Sequence, residues 1–181
     1  KKEIVKVVAG DLEKAWYEGV SVSSDMYEVP IEGKADVAIV SAGGFPRDIN
    51  VYQAQKDLDH ADKATKAGGT IILIAECLQG YGEKTFEEWM REATCPDDVI
   101  RRIREKFVMG GHKAYGICKV AKEKEIILVS SLSEESTKGL FMRKVGSVEE
   151  AIKYVEKKYD KPSYILMPFG SLTVPVLSAK S

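Results

Sequence analysis

A tyrosine, a glutamine and a lysine within five residues, Tyr52-Gln-Ala-Gln-Lys56, can hold a small carboxylate. The ammonium of Lys56 supplies charge, the amide of Gln53 a hydrogen bond and the ring of Tyr52 a wall. They follow the loop Ser41-Ala-Gly-Gly-Phe-Pro-Arg-Asp48. There Gly43 and Gly44 let the backbone turn tightly or approach a ligand, Pro46 stiffens the exit, and Asp48 can cap the next helix. In that helix Val51, Ala54, Leu58 and Ala61 recur at three- and four-residue spacing as a buried stripe, leaving Gln53, Lys56, Asp57 and His60 to share the opposite face. On residue types alone a Lys/Asp/His stripe is more simply a solvated face, and a glycine pair at a strand end more simply a turn.

Two further loops carry polar candidates. Glu76-Cys-Leu-Gln-Gly-Tyr-Gly82 sets Glu76 and Gln79 at a strand end, and Gly110-Gly-His-Lys-Ala-Tyr115 sets His112 and Lys113 near the positive end of a helix, which suits an anion. Metal chemistry has little support. The two histidines, His60 and His112, show no paired-ligand spacing, and Cys77, Cys95 and Cys118 are too far apart for a CxxC clamp or a disulfide framework. All three cysteines read as reduced thiols, with Cys77 and Cys118 as core residues. The chain has no GxGxxG at its first βα turn, no GxxxxGK[ST] and no GxSxG, so nicotinamide, P-loop and nucleophile-elbow chemistry lack their usual fingerprints.

The elements that must position these residues alternate between strand and helix, the pattern of parallel βαβ units. Strands are predicted at Ile4–Ala9, Val37–Ser41, Thr70–Ala75, Glu125–Ser130, Phe141–Val145 and Ser163–Pro168. Helices are predicted at Leu12–Gly19, Asn50–Ala67, Thr85–Ala93, Pro96–Phe107, His112–Lys122 and Val148–Tyr159, the last with a capping box from Ser147 and Glu150. Val20–Val29 reads as an edge strand or an extended connection. The expected architecture is a three-layer, Rossmann-like α/β domain with a mostly parallel sheet and helices on both faces, in which ligands bind beyond the carboxyl ends of the strands. No repeat or linker divides residues 1–181.

Composition excludes several partners. With 181 residues, 44% hydrophobic and 30% charged, the chain can bury one three-layer core. Its 27 basic and 28 acidic residues are interspersed and leave a formal charge of -1, which offers nucleic acid no footprint. The apolar runs fall short of the ~20 residues of a membrane-spanning helix. The opening Lys1-Lys-Glu-Ile-Val-Lys6 does not fit a secretory signal, so a cytoplasmic location is expected. A start at Lys1 fits a segment of a longer protein.

The loops, taken in order, resemble a known family. The carriers are Ser41–Asp48, Asn50-Val-Tyr-Gln-Ala-Gln-Lys56, Gly68-Gly-Thr-Ile-Ile-Leu-Ile-Ala-Glu-Cys77, Gly80-Tyr-Gly82 with Phe86 and Trp89, and Met167-Pro-Phe-Gly-Ser-Leu-Thr-Val-Pro175. Over most of the chain they resemble the C-terminal domain of the nickel-pincer-nucleotide-dependent lactate racemase family, whose members are 2-hydroxyacid racemases and epimerases. The resemblance implies an active site between this domain and a missing N-terminal domain, where the cofactor accepts and returns a hydride at the hydroxyl-bearing carbon. The family's catalytic histidines, nickel-binding histidine and tethering lysine have no counterparts here, so no catalytic residue, metal ligand or bound cofactor is expected in this chain. Its share would be substrate binding by Tyr52, Gln53 and Lys56, with Gly43 and Gly44 facing the cofactor. One departure stands out: near Gly111–Tyr115, where lactate-racemising members place a tryptophan beside the substrate, this chain carries Lys113. A cation there suits a more anionic 2-hydroxy acid, whose extra group His112 or Lys113 would meet. The competing expectations are a stand-alone Rossmann-like module that binds a nucleotide or small anion through Ser41–Asp48, and a structural domain with solvated helix faces.

Overall fold

A computed structural model describes residues 3–178. Lys1 and Lys2, part of the opening segment read above, lie outside the described residues. The elements run α1 (Leu12–Tyr27), β1 (Glu28–Ile31), β2 (Ala35–Ser41), α2 (Val51–Ala64), β3 (Thr65–Ile74), α3 (Lys84–Glu92), α4 (Pro96–Glu105) and α5 (Gly111–Glu123). They continue with β4 (Glu125–Val129), α6 (Glu134–Gly139), β5 (Arg143–Val145), α7 (Val148–Lys158), β6 (Tyr164–Met167), a 3-10 turn (Gly170–Leu172) and β7 (Val174–Leu177).

Five strands form one parallel sheet in the order β5-β4-β3-β2-β6, flanked by helices as the alternation predicts. Side chains alternate across it because successive strand residues point to opposite faces. Ala38, Val40, Ile71, Leu73, Ile126 and Leu128 bury one face in the larger core with α2, α3 and α5. Val37, Ile72, Ile127 and Val145 bury the other against Ala151 and Val155 of α7. Ser147 caps α7 as expected, accepting from the Glu150 N–H at 3.2 Å, but the Glu150 carboxylate closes the box on the Gly146 N–H at 2.8 Å instead of on the cap residue itself.

Several boundaries differ from the sequence reading. Ile4–Ala9 is not a strand: Ile4, Val5 and Val7 are exposed, and an apolar run without a neighbouring strand has no ladder to join. Val20–Val29 is neither edge strand nor open connection, since α1 continues through Tyr27 and only Glu28–Ile31 is extended, pairing in parallel with β7 in a separate two-stranded sheet. The helix expected to reach Ala67 stops at Ala64. Thr65 favours extended chain, the glycine pair breaks the helix with Gly68 at φ 72°, and a Cβ at Gly69 would lie 2.8 Å from the Asp36 carbonyl, so that glycine permits the close approach of β3 to β2. The short helix α6, capped by Ser133, and strand β7 were not anticipated.

Candidate functional site

The topology offers a candidate site. From β2 the chain moves outward through β3, β4 and β5, and it then returns to lay β6 on the other side of β2. The order reverses between β2 and β6, and in open parallel sheets the ligand crevice opens outside the carboxyl ends at such a switch. Two loops meet there, Ala42–Asn50 after β2 and Pro168–Thr173 after β6. Gly43 (φ 79°) and Gly44 (φ 76°) make the turn of the first loop. A Cβ at Gly43 would lie 2.8 Å from an Arg47 guanidinium nitrogen and 3.1 Å from the Phe169 ring, so this glycine lets the loops pack. Gly44 faces open space.

A second set of bonds fixes the start of α2. The loop after β3 accepts two of its first N–H groups, Val51 to the Gly80 carbonyl at 3.0 Å and Tyr52 to the Tyr81 carbonyl at 3.0 Å. Asn50, and not Asp48, is the cap: its side-chain oxygen accepts from the Gln53 N–H at 3.0 Å. Asp48 instead accepts from the Glu76 N–H at 3.4 Å, tying the β2 loop to the end of β3. The helix N-terminus is therefore filled by protein groups, and any anion must be held by side chains.

Those side chains line a cleft of about 400 Å³ formed by Pro46, Arg47, Ile49, Gln53, Lys56, Asp57 and Ser171. Lys56 is exposed and donates to Gln53 Oε1 at 2.7 Å. At roughly 100° per residue, Lys56 falls between Gln53 and Asp57 on one side and Tyr52 and Gln55 on the other. The second flank is aromatic and cationic. Tyr52 packs edge-on against Phe86 (6.1 Å) and His112 (6.2 Å), and Lys113 Nζ lies 5.5 Å from the Tyr52 ring centre while donating to Gln55 Oε1 at 2.8 Å. Burial pulls the Lys113 ammonium below the ordinary lysine range; Asp59 opposes this, and the charge of Lys56 adds to it.

The predicted residues thus divide. Gln53 and Lys56 share the cleft; Tyr52, His112 and Lys113 form its neighbouring wall. His112 Nδ1 accepts from the Gly110 N–H at 3.3 Å and its ring stacks on Phe107 at 6.1 Å, so it is bound up in its own helix start. Glu76 and Gln79 do not line this cleft: Glu76 lines a neighbouring hollow at the carboxyl ends of the strands with Gly44, Asp48 and Ser130, and the Gln79 N–H donates to the Ile49 carbonyl. Cys77 and Cys118 are buried, and burial pushes each thiol up to about 12, which suits inert core residues.

Three polar cleft residues were not singled out by the sequence reading: Arg47, Asp57 and Ser171. Asp57 was assigned to the wet face of α2, yet it is only 1% exposed. Its signal was its place on the wheel, adjacent to Ala54 and Ala61, where a solvated acid cannot sit. Among the described residues no group of three or more His, Cys, Asp or Glu could hold a metal ion, and no helix is long and apolar enough to cross a membrane.

The molecule is an α/β domain with a cleft at the switch point of its parallel sheet, and comparison with known proteins narrows its class. Residues 31–174 match the model of the lactate racemase C-terminal domain, and the chain belongs to that family. It is 33% identical over 174 residues to a lactate racemase of Thermoanaerobacterium thermosaccharolyticum, and 30% identical over 163 residues to one of Lactiplantibacillus plantarum. The alignments cover 93% and 87% of this chain but only 41% and 38% of those proteins, so the chain spans about two fifths of their length. The lactate racemase apoprotein structure from T. thermosaccharolyticum superposes with a TM-score of 0.84 at 29% identity, over 91% of this chain and 40% of that one. A Thermotoga maritima protein shares the fold, with a TM-score of 0.62 at 17% identity.

Proposed function

We propose that this chain is the C-terminal domain of a 2-hydroxyacid racemase or epimerase and supplies the substrate-holding wall of a site completed by a preceding N-terminal domain. The observation that carries the reading is the company the cleft keeps. Exposed Phe45, Phe107, Met109 and Phe169 stand on the loops around the cationic cleft, with Leu78 on the next loop. Large apolar side chains around a polar cleft are a cost in water and an asset when a second domain closes over them.

In this reading the substrate carboxylate pairs with Lys56 and Arg47, while Gln53 holds the Lys56 ammonium in place and offers its amide to the substrate. Tyr52 and the rim phenyl groups exclude water, which strengthens each charge interaction inside. A nickel-pincer nucleotide would supply reversible hydride acceptance. In this reading that group is carried by the N-terminal domain, while this chain binds and orients the substrate. Gly43 and Gly44, on the loop that leads to Pro46 and Arg47, would leave backbone open to such a nucleotide.

Lys113 bears on the substrate class. Two lysines near one aromatic wall repel each other, and a ligand with a second anionic group would relieve that repulsion. The test is turnover of a panel of 2-hydroxy acids by the cofactor-loaded full-length protein beside its Lys56→Ala and Lys113→Ala variants. Lys56→Ala should lower kcat/KM by roughly 10- to 100-fold, the worth of a hydrogen bond to a charged group. Lys113→Ala should shift preference toward monoanionic acids such as lactate. An unchanged preference would remove Lys113 from the site, and the absence of turnover on every acid would return the chain to the class of small-anion binding modules.

A further inference from the structure

Asp57 is not explained by the fold. It lies on α2 one residue after Lys56, forms part of the cleft wall with Arg47, Gln53 and Ser171, and is 1% exposed. Neither of its carboxyl oxygens has a hydrogen-bond partner among the described residues. Buried polar side chains are almost always satisfied, and an acid that is not satisfied calls for a reason. Its surroundings are built to hold it there. A Cβ on Gly170 would lie 2.7 Å from Asp57 Oδ1 and 2.4 Å from Val40 Cγ2, so only glycine lets the Pro168–Thr173 loop lie across the carboxyl. One turn further along α2, His60 Nδ1 donates to the Gly170 carbonyl at 2.7 Å and clamps the same loop.

Resting on the reading that a hydroxy acid's carboxylate occupies this cleft, we infer that the Asp57 carboxylic acid is part of that carboxylate's binding site. Both carboxyl oxygens are shut off from solvent beneath the Gly170 loop, so this loop must yield as the ligand enters; the Asp57 O–H then donates to one ligand oxygen while Lys56 and Arg47 supply the charge. An O–H···O⁻ bond of this kind is short and charge-assisted, and it satisfies an acid that has no other partner. The proton stays on Asp57 throughout. Burial raises the carboxyl above its usual range, while the nearby Ser171 N–H and hydroxyl and the charge of His60 pull the other way, so the donor form persists above the pH at which an exposed aspartate would lose it. Once Asp57 ionises, its lone pairs repel the ligand.

The groups that face Asp57 and could blur this titration are few. On α2 they are Lys56 and His60, and on the β2 loop Arg47 and, further off, Asp48; the 3-10 turn and β7 contribute no ionisable side chain. His60 is present in every variant below and cannot account for a difference between them.

The experiment is isothermal titration of sodium lactate into the full-length protein between pH 5 and pH 9, for wild type, Asp57→Asn, Asp57→Leu and Lys56→Ala. Asparagine keeps a donor of the same shape and cannot ionise; leucine has no donor. Wild-type affinity should fall about tenfold across the range, Asp57→Asn should be flat, and Asp57→Leu should bind about tenfold more weakly than wild type at pH 5. Thermal unfolding verifies that the variants are folded. A wild-type slope retained in Asp57→Asn, or wild-type affinity in Asp57→Leu, overturns the assignment of Asp57 even while Lys56→Ala weakens binding. Equal binding by Lys56→Ala and wild type overturns the carboxylate site itself, and the role of Asp57 with it.

Discussion

The two ends of the parallel sheet treat their polar groups in opposite ways. At the amino ends the charges are paired. Asp36, entering β2, accepts from the Ser163 N–H (2.9 Å), the Ser163 hydroxyl (2.6 Å) and Lys66 Nζ (2.8 Å). Glu125, opening β4, accepts from Tyr154 (2.8 Å), Lys158 (2.9 Å) and Arg143 (3.3 Å), and Lys124, its side chain 4% exposed, pairs with Asp62. At the carboxyl ends Lys56 rests on a neutral amide, Lys113 on another, and Asp57 on nothing. Both ends contain buried or half-buried charge, so burial alone does not mark a site. The difference is whether the surrounding protein has already met the group's needs, because a satisfied charge is structural and an unsatisfied one is available to a ligand.

The sharpest way to break this contrast is to remove one lysine from each end. Lys124→Met leaves Asp62 without its partner and should cost about 2 to 4 kcal/mol of stability, with lactate affinity of the folded protein unchanged. Lys56→Met should do the reverse, changing stability by less than about 0.5 kcal/mol while removing most of the lactate affinity. Chemical denaturation and titration calorimetry on the same samples measure both. If Lys124→Met weakened binding as much as Lys56→Met, the two ends would not be functionally distinct.

A smaller effect is expected from Gly82→Ala. Gly82 has φ 90°, and a Cβ there would lie 2.1 Å from Asn50 Cγ, so the cap of α2 must move. Loss of the cap costs about 1 kcal/mol, and left-handed strain adds to it. Because Gln53 and Lys56 stand on the first two turns of that helix, lactate affinity should fall as well, although Gly82 does not line the cleft.

The smallest effect is in the pH dependence of stability, where the two ends have opposite signs. Asp36 is held well below its ordinary value by Lys66 and Ser163, so its contribution is present above the ordinary aspartate range and is lost as pH falls through the depressed folded value. Asp57 is raised by burial, so its contribution is present below the ordinary value of 3.8 and is lost as pH rises through the folded value. Asp57→Asn should therefore flatten the decline in melting temperature on the rising-pH side and leave the acid side intact, whereas Asp36→Asn should flatten only the acid side. Identical profiles for the two variants would mean that their environments do not differ as described.

Much of the fold was legible because strands covered on both faces are written as continuous apolar runs. Val37–Ser41 and Thr70–Ala75 needed no tertiary knowledge to recognise. Ile4–Ala9 is equally apolar and forms no strand, since a strand exists only where a neighbour supplies the ladder. The site was half legible. Lys56 and Gln53, named through the resemblance, line the candidate cleft, whereas Asp57 was placed in solvent: its position on the wheel beside Ala54 and Ala61 hinted at burial, but only the packing of the 168–173 loop decides it.

The sequence by itself determined the alternation of strands and helices, the buried stripe of α2, the glycine turn after β2 and the family to which these loops belong. These follow from periodicity, backbone preference and the order of short motifs, all carried by neighbouring residues. Tertiary structure alone decided that β6 returns to the far side of β2, which brings Ser171 and the Gly170 carbonyl, more than a hundred residues away along the chain, against the face of α2 that carries Asp57 and His60. Whether an acid is solvated or enclosed depends on that packing, since desolvation is a property of the space around a group and is not encoded in its immediate neighbours in the chain.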